Sequence, residues 1–323
     1  MGDTDEDGMT EHEAEVARLH RELLRLAGRL PADVLARARL VLAEGFTEPV
    51  AKALDAVAQL RAEPAYSFTH DPDAALVVPV TDLTSGPLTD PLDRAAVRSL
   101  SRIPQAIALW RSWRVPPQWA AQAVHPVRVY VAEMETDPHL LPGVSATVMR
   151  DLDRAGLADP QVETYSSAVE PPPYQVQARA ASALVWAAGE FPAVRIARVF
   201  DRGGPGGPRF DDDHERVDGP ERDRAVSYLA AGSPIMATTQ RTTDIIEPSR
   251  GAVVPMGYRT DGRWVWTDTV AYYLSTHGLA PDAELFADIR AAGFVAPQPT
   301  IVGEHRALAA LFEPRPAVGA RTA

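Results

Sequence analysis

From Val127 to Phe200 the sequence switches repeatedly between a two-residue and a helical period, and this limits the folds open to it. VRVYVAE (127–133) predicts a strand, and LPGVSATVMRDLDRAG (141–156) predicts a helix ended by Gly156. QVETYS (161–166) predicts a second strand, Tyr174 to Ala188 a helix, and AVRIARVF (193–200) a third strand. Strand–helix–strand–helix–strand on short connections is the pattern of an α/β layer whose helices cross over the sheet. The fold class expected is therefore α/β, or α+β if the sheet is mixed.

The flanks add to this layer. Residues 1–9 read as an acidic disordered tail. Residues 10–62 read as a three-helix unit. Val16, Leu19, Leu23 and Leu26 repeat at helical spacing, a second helix opens at Pro31 and stops at Gly45, and Thr47 stands as N-cap of a third. Residues 63–126 read as a linker with one apolar run, Ala74 to Val80, which Pro79 demotes to an edge strand or extended segment. Asp90-Pro91 opens a helix that Pro104 interrupts, and its second half, carrying Ile107, Trp110 and Trp113, ends before Pro116. An α/β domain is expected over 127–312, with a frayed tail over 313–323.

Within that domain, Gly251 to Gly293 predicts a hairpin followed by two capped helices. Asp261-Gly262 suits a two-residue turn with positive φ at both central positions. In that register Arg259 faces Trp264 and Gly257 faces Trp266, with Tyr258 and Val265 on the opposite face. Helix 281–292 starts with Pro281 and Asp282 and closes on Gly293, and a short last helix is expected over 303–312.

Composition excludes several functions. The chain of 323 residues carries a formal net charge of −12 and has no lysine- or arginine-rich run, which argues against nucleic acid as the main partner. Cysteine is absent, removing disulfides, thiolate metal sites and thiol nucleophiles. The first residues lack the basic and apolar regions of a secretory signal, and no apolar run is long enough to span a bilayer, so a cytoplasmic location without membrane contact is expected.

The chemistry-bearing residues are scattered. The loop DRGGPGGPRFDDDHERVDG (201–219) follows an expected strand end, where α/β folds usually bind ligands. Asp211, Asp213 and His214, with Asp212, Glu215 and Asp218 beside them, are the available metal donors, against a solvated loop whose like charges repel. HERVD lacks the second histidine of a zinc-protease helix, and GGPGGP lacks the Gly-Lys-Ser/Thr of a phosphate loop. Neither Ser145 nor Ser233 sits in a nucleophile elbow. His277, beside Gly278, reads as a helix C-terminal residue. Arg241, Tyr258, Arg259, Asp261 and Trp264, with Trp266, form the remaining candidate set, able to meet a planar or anionic ligand or a protein partner, or simply to pack. No cofactor is expected.

Three stretches, HRELLRLAGRLPADVLARARLVLAEG, PPPYQVQARAASALVWAA and VVPMGYRTDGRWVWTDTVAYYLSTHG, resemble segments of an uncharacterised actinomycete protein family, some members being encoded with secreted-toxin or conflict systems. The resemblance implies a cytoplasmic interaction or immunity-type protein and brings no catalytic residues. The expected function is thus a non-enzymatic accessory protein that binds a protein partner. The alternative is an enzyme or small-molecule binder using the strand-end crevice and loop 201–219.

Overall fold

The computed structural model describes residues 9–57, 66–74, 78–117 and 125–313. The expected tails 1–9 and 313–323 and the apolar run 74–80 fall largely or partly outside the described residues. The chain divides into two compact units, residues 1–189 and 190–323. The break falls inside the single domain expected over 127–312, because the segment 193–200 pairs with strands that follow it and not with those before it.

Unit 1 opens with the three expected helices, α1 (Glu11–Arg25), α2 (Ala32–Ala43) and α3 (Thr47–Val57). Thr10 caps α1 through a reciprocal capping box with Glu13, which satisfies amide donors the helix itself leaves free. β1 (Ser67–Thr69), β2 (Thr81–Asp82) and α4 (Pro91–Leu100) follow, with Asp90 accepting from the amides of Leu92 and Asp93 as N-cap. Then come β3 (Ala106–Val115), β4 (Val127–Met134), α5 (Leu141–Arg154), β5 (Gln161–Ser166), α6 (Pro173–Ala180) and β6 (Ser182–Ala187). The sheet order is β2-β6-β3-β4-β5, with β1 added to β3. β4 and β5 run parallel across the α5 crossover, as expected, while β3 is antiparallel to both its neighbours, β4 and β6.

Two stretches expected as helix in this unit are strands. Ile107, Trp110 and Trp113 mimic helical spacing, but 106–115 is the central strand, hydrogen-bonded on both edges and covered on both faces. Such a strand need not alternate polar with apolar, so periodicity misreads it. The helix expected over 174–188 ends at Ala180, and β6 takes the rest. Local alanine content favours helix there, but pairing with β3 and β2 prevails.

Beneath the sheet, Tyr130, Ala132, Met134 and Val162 pack on Leu141, Val148 and Leu152 of α5 and on Ala96 and Leu100 of α4. The unit also buries an ion pair: Arg39 of α2 and Glu163 of β5 meet at 2.5 Å with their side chains 1% and 0% exposed. The amide of Gln175 donates to the same carboxylate.

Unit 2 contains β7 (Arg195–Ile196), α7 (Gly219–Ala231), β8 (Ser233–Met236), β9 (Arg241–Thr243), β10 (Ala252–Pro255), β11 (Tyr258–Thr260), β12 (Trp264–Thr267), α8 (Asp268–His277), α9 (Ala283–Ala291) and α10 (Ile301–Phe312). One sheet has the order β7-β12-β11-β8, and β9 and β10 form a separate antiparallel ribbon. The strand expected at 193–200 is thus only β7, parallel to β12.

The hairpin forms, but its register is two residues from that expected. Thr260 pairs with Val265, and Arg259 faces Trp266. The cause is Asp261, whose carboxylate accepts from the amides of Arg263 and Trp264 at 2.9 and 2.7 Å and so stabilises a longer loop than two residues. A shift of two keeps each side chain on its expected face and changes only its neighbour. Trp264 therefore lies under Arg195, 4.0 Å from its ring centre, and Trp266 lies against Gly232, where an added Cβ would come within 2.3 Å of the indole.

Candidate functional site

One cavity in unit 1 measures about 530 Å³ and is strongly polar. It sits at the carboxyl end of β3 and the amino end of β4, under the loop that leads into α4. Its floor holds Arg111 and Trp113 of β3, Arg128 of β4, and Asp90 and Asp93 at the start of α4. Asp71 and Asp73, both exposed, and the half-buried Asp82 also line it.

The floor is a connected network. Arg128 grips Asp90 through two hydrogen bonds, both 2.8 Å, and lies over the Trp113 ring at 4.6 Å. Arg111 donates to Asp93 at 2.7 Å, and the Tyr130 hydroxyl donates to the other Asp93 oxygen at 2.8 Å. The Arg128 hydrogen bond, helped by two helix amides, holds the Asp90 carboxyl down to about 2. Asp93 moves the other way, because burial disfavours its charge.

A carboxylate held ionised beside one pushed toward protonation is an arrangement acid–base sites use. Here, however, both oxygens of Asp93 are engaged, which makes it a clamp on Arg111 and Tyr130. Five carboxylates line the cavity against two guanidiniums, so the space carries excess negative charge. None of these residues was singled out in the sequence for a site; Asp90 was read as a helix start and Trp113 as part of a helix. Arg111 and Arg128 come from different strands, and only β3–β4 pairing places Trp113 opposite Arg128.

The residues that the sequence did single out lie in unit 2. Loop 201–219 lines a smaller cavity of about 240 Å³ with Asp201, Asp211, Asp213, His214 and Asp282. His214 contacts Asp201 through Nδ1 at 2.8 Å and the Ala280 carbonyl through Nε2 at 3.0 Å, so both ring nitrogens are engaged. Asp211 pairs with Arg202, and Asp282 caps α9 while pairing with Arg198. Among the described residues no group of three or more such donors converges as a metal site.

The hairpin set is dispersed. Arg241 lies on the β9–β10 ribbon and donates to the Val253 carbonyl. Tyr258 pairs within the other sheet, opposite Thr267. Arg259 is tied to Asp268 at 2.7 Å and to the carbonyls of Ala230 and Gly232. Asp261 accepts from Tyr228, and Trp264 donates to Asp288. Their polar groups serve the packing of α7, α8 and α9 on the sheet.

His277 does more than close α8 before Gly278, which has the left-handed conformation expected of a C-cap (φ +68°). Its Nε2 lies 2.7 Å from the buried carboxylate of Asp244, which also accepts from Tyr272. Burial opposes the charge, but these bonds and two amides keep Asp244 down to about 2.

No helix among the described residues is long and apolar enough to cross a membrane. No protein-family model, curated protein or solved structure matches this chain.

Proposed function

We propose that the protein is a binding protein and that unit 1 takes a small, polar, positively charged molecule in its 530 Å³ cavity. The observation that carries this reading is the division of labour inside the cavity. Two aspartates neutralise the two arginines of the floor, while Asp71 and Asp73 add two exposed carboxylates that neither arginine meets. An ammonium group entering there meets exposed carboxylates, whose field favours a cation.

Titration calorimetry of the full chain with 1,4-diaminobutane, butyrate and 1-butanol tests it. Saturable binding of the diamine alone is expected, weakening two- to fivefold in Asp73→Asn, about the size of one exposed ion pair. Asp73 suits this test because it is exposed and lines the cavity. Absence of diamine binding, or equal binding of butyrate, rejects the proposal.

A second reading is an accessory role, immunity-like in kind, in which the helical unit α1–α3 docks a protein partner. It is favoured by Val34 and Phe46, which stand 44% and 58% exposed on α2 and in the turn after it. Val34→Asp with Phe46→Asp abolishes capture of a specific partner if this reading holds, without altering diamine binding.

A further inference from the structure

A second cavity of unit 1, about 260 Å³, opens at the carboxyl end of β5 between α1 and the Pro171–Pro173 run. Its walls are Ala17 and Leu24 of α1, Leu141 at the start of α5, and Val169 with the three prolines. The location is the usual one for ligands in α/β sheets, beyond the carboxyl ends of parallel strands. At roughly 30 Å³ for each atom-sized unit of liquid, the space admits about nine non-hydrogen atoms.

Six polar residues interrupt the apolar wall: His20, Arg21, Arg25, Tyr165, Ser166 and Glu170. Arg21 and Arg25 stand at the rim with Glu170. Arg25 is paired with Glu22 at 2.6 Å, whereas Arg21, exposed, forms no ion pair among the described residues. His20, among these lining residues, is only 3% exposed. Its Nε2 lies 2.8 Å from the Thr164 carbonyl. A carbonyl only accepts, so Nε2 carries the proton. Burial holds the ring neutral, with its pKa lowered to about 4. Nδ1 is then a bare acceptor, and among the described residues no group bonds to it.

We infer that this cavity binds an apolar carboxylic acid of about nine to eleven heavy atoms, its carboxylate outside at the rim, that carries a hydroxyl or N–H donor near its head group. The tail lies against Leu24, Leu141 and the prolines, the donor meets His20 Nδ1, and the carboxylate meets Arg21 at the rim. The assignment is independent of the polar cavity, which is lined by a different set of residues and selects the opposite charge.

The test is calorimetric titration of the full chain at neutral pH with 3-hydroxyoctanoate, octanoate, 1-octanol and octylamine. One saturable site is expected, with 3-hydroxyoctanoate tightest, octanoate several-fold weaker, and octanol and octylamine at least tenfold weaker than octanoate. Arg21→Glu, at an exposed and unpaired position, lowers octanoate affinity at least tenfold. Val169→Glu, on the opposite wall and half exposed, acts in the same direction. Asp73→Asn leaves octanoate binding unchanged and so separates this site from the polar cavity. The inference is overturned if octylamine equals octanoate, if Arg21→Glu binds octanoate as well as the parent chain, or if no acid binds. Equal affinity for octanoate and 3-hydroxyoctanoate overturns the part given to His20.

Discussion

The two units handle charge in opposite ways. Unit 1 takes ionised groups inside: Arg39 with Glu163, Arg111 with Asp93, and Arg128 with Asp90, each arginine closed by a carboxylate on another element. Unit 2 keeps its arginines near the surface, where Arg195, Arg259 and Arg290 bridge neighbouring elements with side chains 29–43% exposed. Its fully buried carboxylate, Asp244, is met by a histidine and a tyrosine. Buried arginines require oppositely charged partners, and in unit 1 each has one. Surface bridges add little individually, and the interior of unit 2 is left to Trp266, Phe286, Leu285 and Ile289.

This contrast can be broken most decisively at Glu163. Removing the carboxylate by Glu163→Ala strands Arg39 in the interior and is expected to destabilise the protein by about 3–5 kcal/mol, read from the urea midpoint. A surface partner in unit 2, Glu284→Ala, shifts it by less than about 1 kcal/mol. Similar losses from the two variants would erase the distinction.

Acid separates the units next. Burial lowers His20 from 6.5 to about 4, so the unfolded chain binds a proton there first. The contribution is complete above pH 6.5, falls as pH drops toward 4, and is then fully lost. By pH 5 about 2 kcal/mol is gone. His20→Gln flattens the slope of stability between pH 6.5 and 4. In unit 2 the contribution of Asp244, held down to about 2, persists through that window and is lost only as pH falls from about 4 through 2. An unchanged slope in the glutamine variant would remove His20 as the source.

The smallest effect sharpens the apolar side of the comparison. In Gly232→Ala the new Cβ runs into the Trp266 indole and lies 3.2 Å from the Thr260 carbonyl. Overpacking of this kind costs about 1–3 kcal/mol, measurable by thermal unfolding. A neutral substitution would mean that the indole moves freely, contrary to a packed core in unit 2.

What was legible beforehand was what neighbouring residues decide among themselves. Asp90 caps a helix begun by Pro91, and Gly278 ends one, both within a few residues of chain. Trp110 shows the limit. Its spacing from Ile107 and Trp113 fits a helix, and only two flanking strands make it the middle of a sheet. The polar cavity was hidden for a related reason: Asp90, Arg111 and Arg128 look like isolated charges until β3 and β4 pair. The acidic loop 201–219 drew notice because its charges are adjacent in sequence, yet His214 spends both nitrogens on Asp201 and Ala280.

The sequence by itself determined the capped helix ends at Asp90, Gly278 and Asp282, the β4–α5–β5 crossover, the position of the hairpin and the faces its side chains occupy, because periodicity and capping act over short stretches of backbone. Tertiary structure alone decided the hairpin register, the conversion of 106–115 and 182–187 into strands, the break at Gly189, and which charges meet. Those outcomes depend on hydrogen bonds and ion pairs between residues far apart in the chain, whose strength comes from removing both partners from water together.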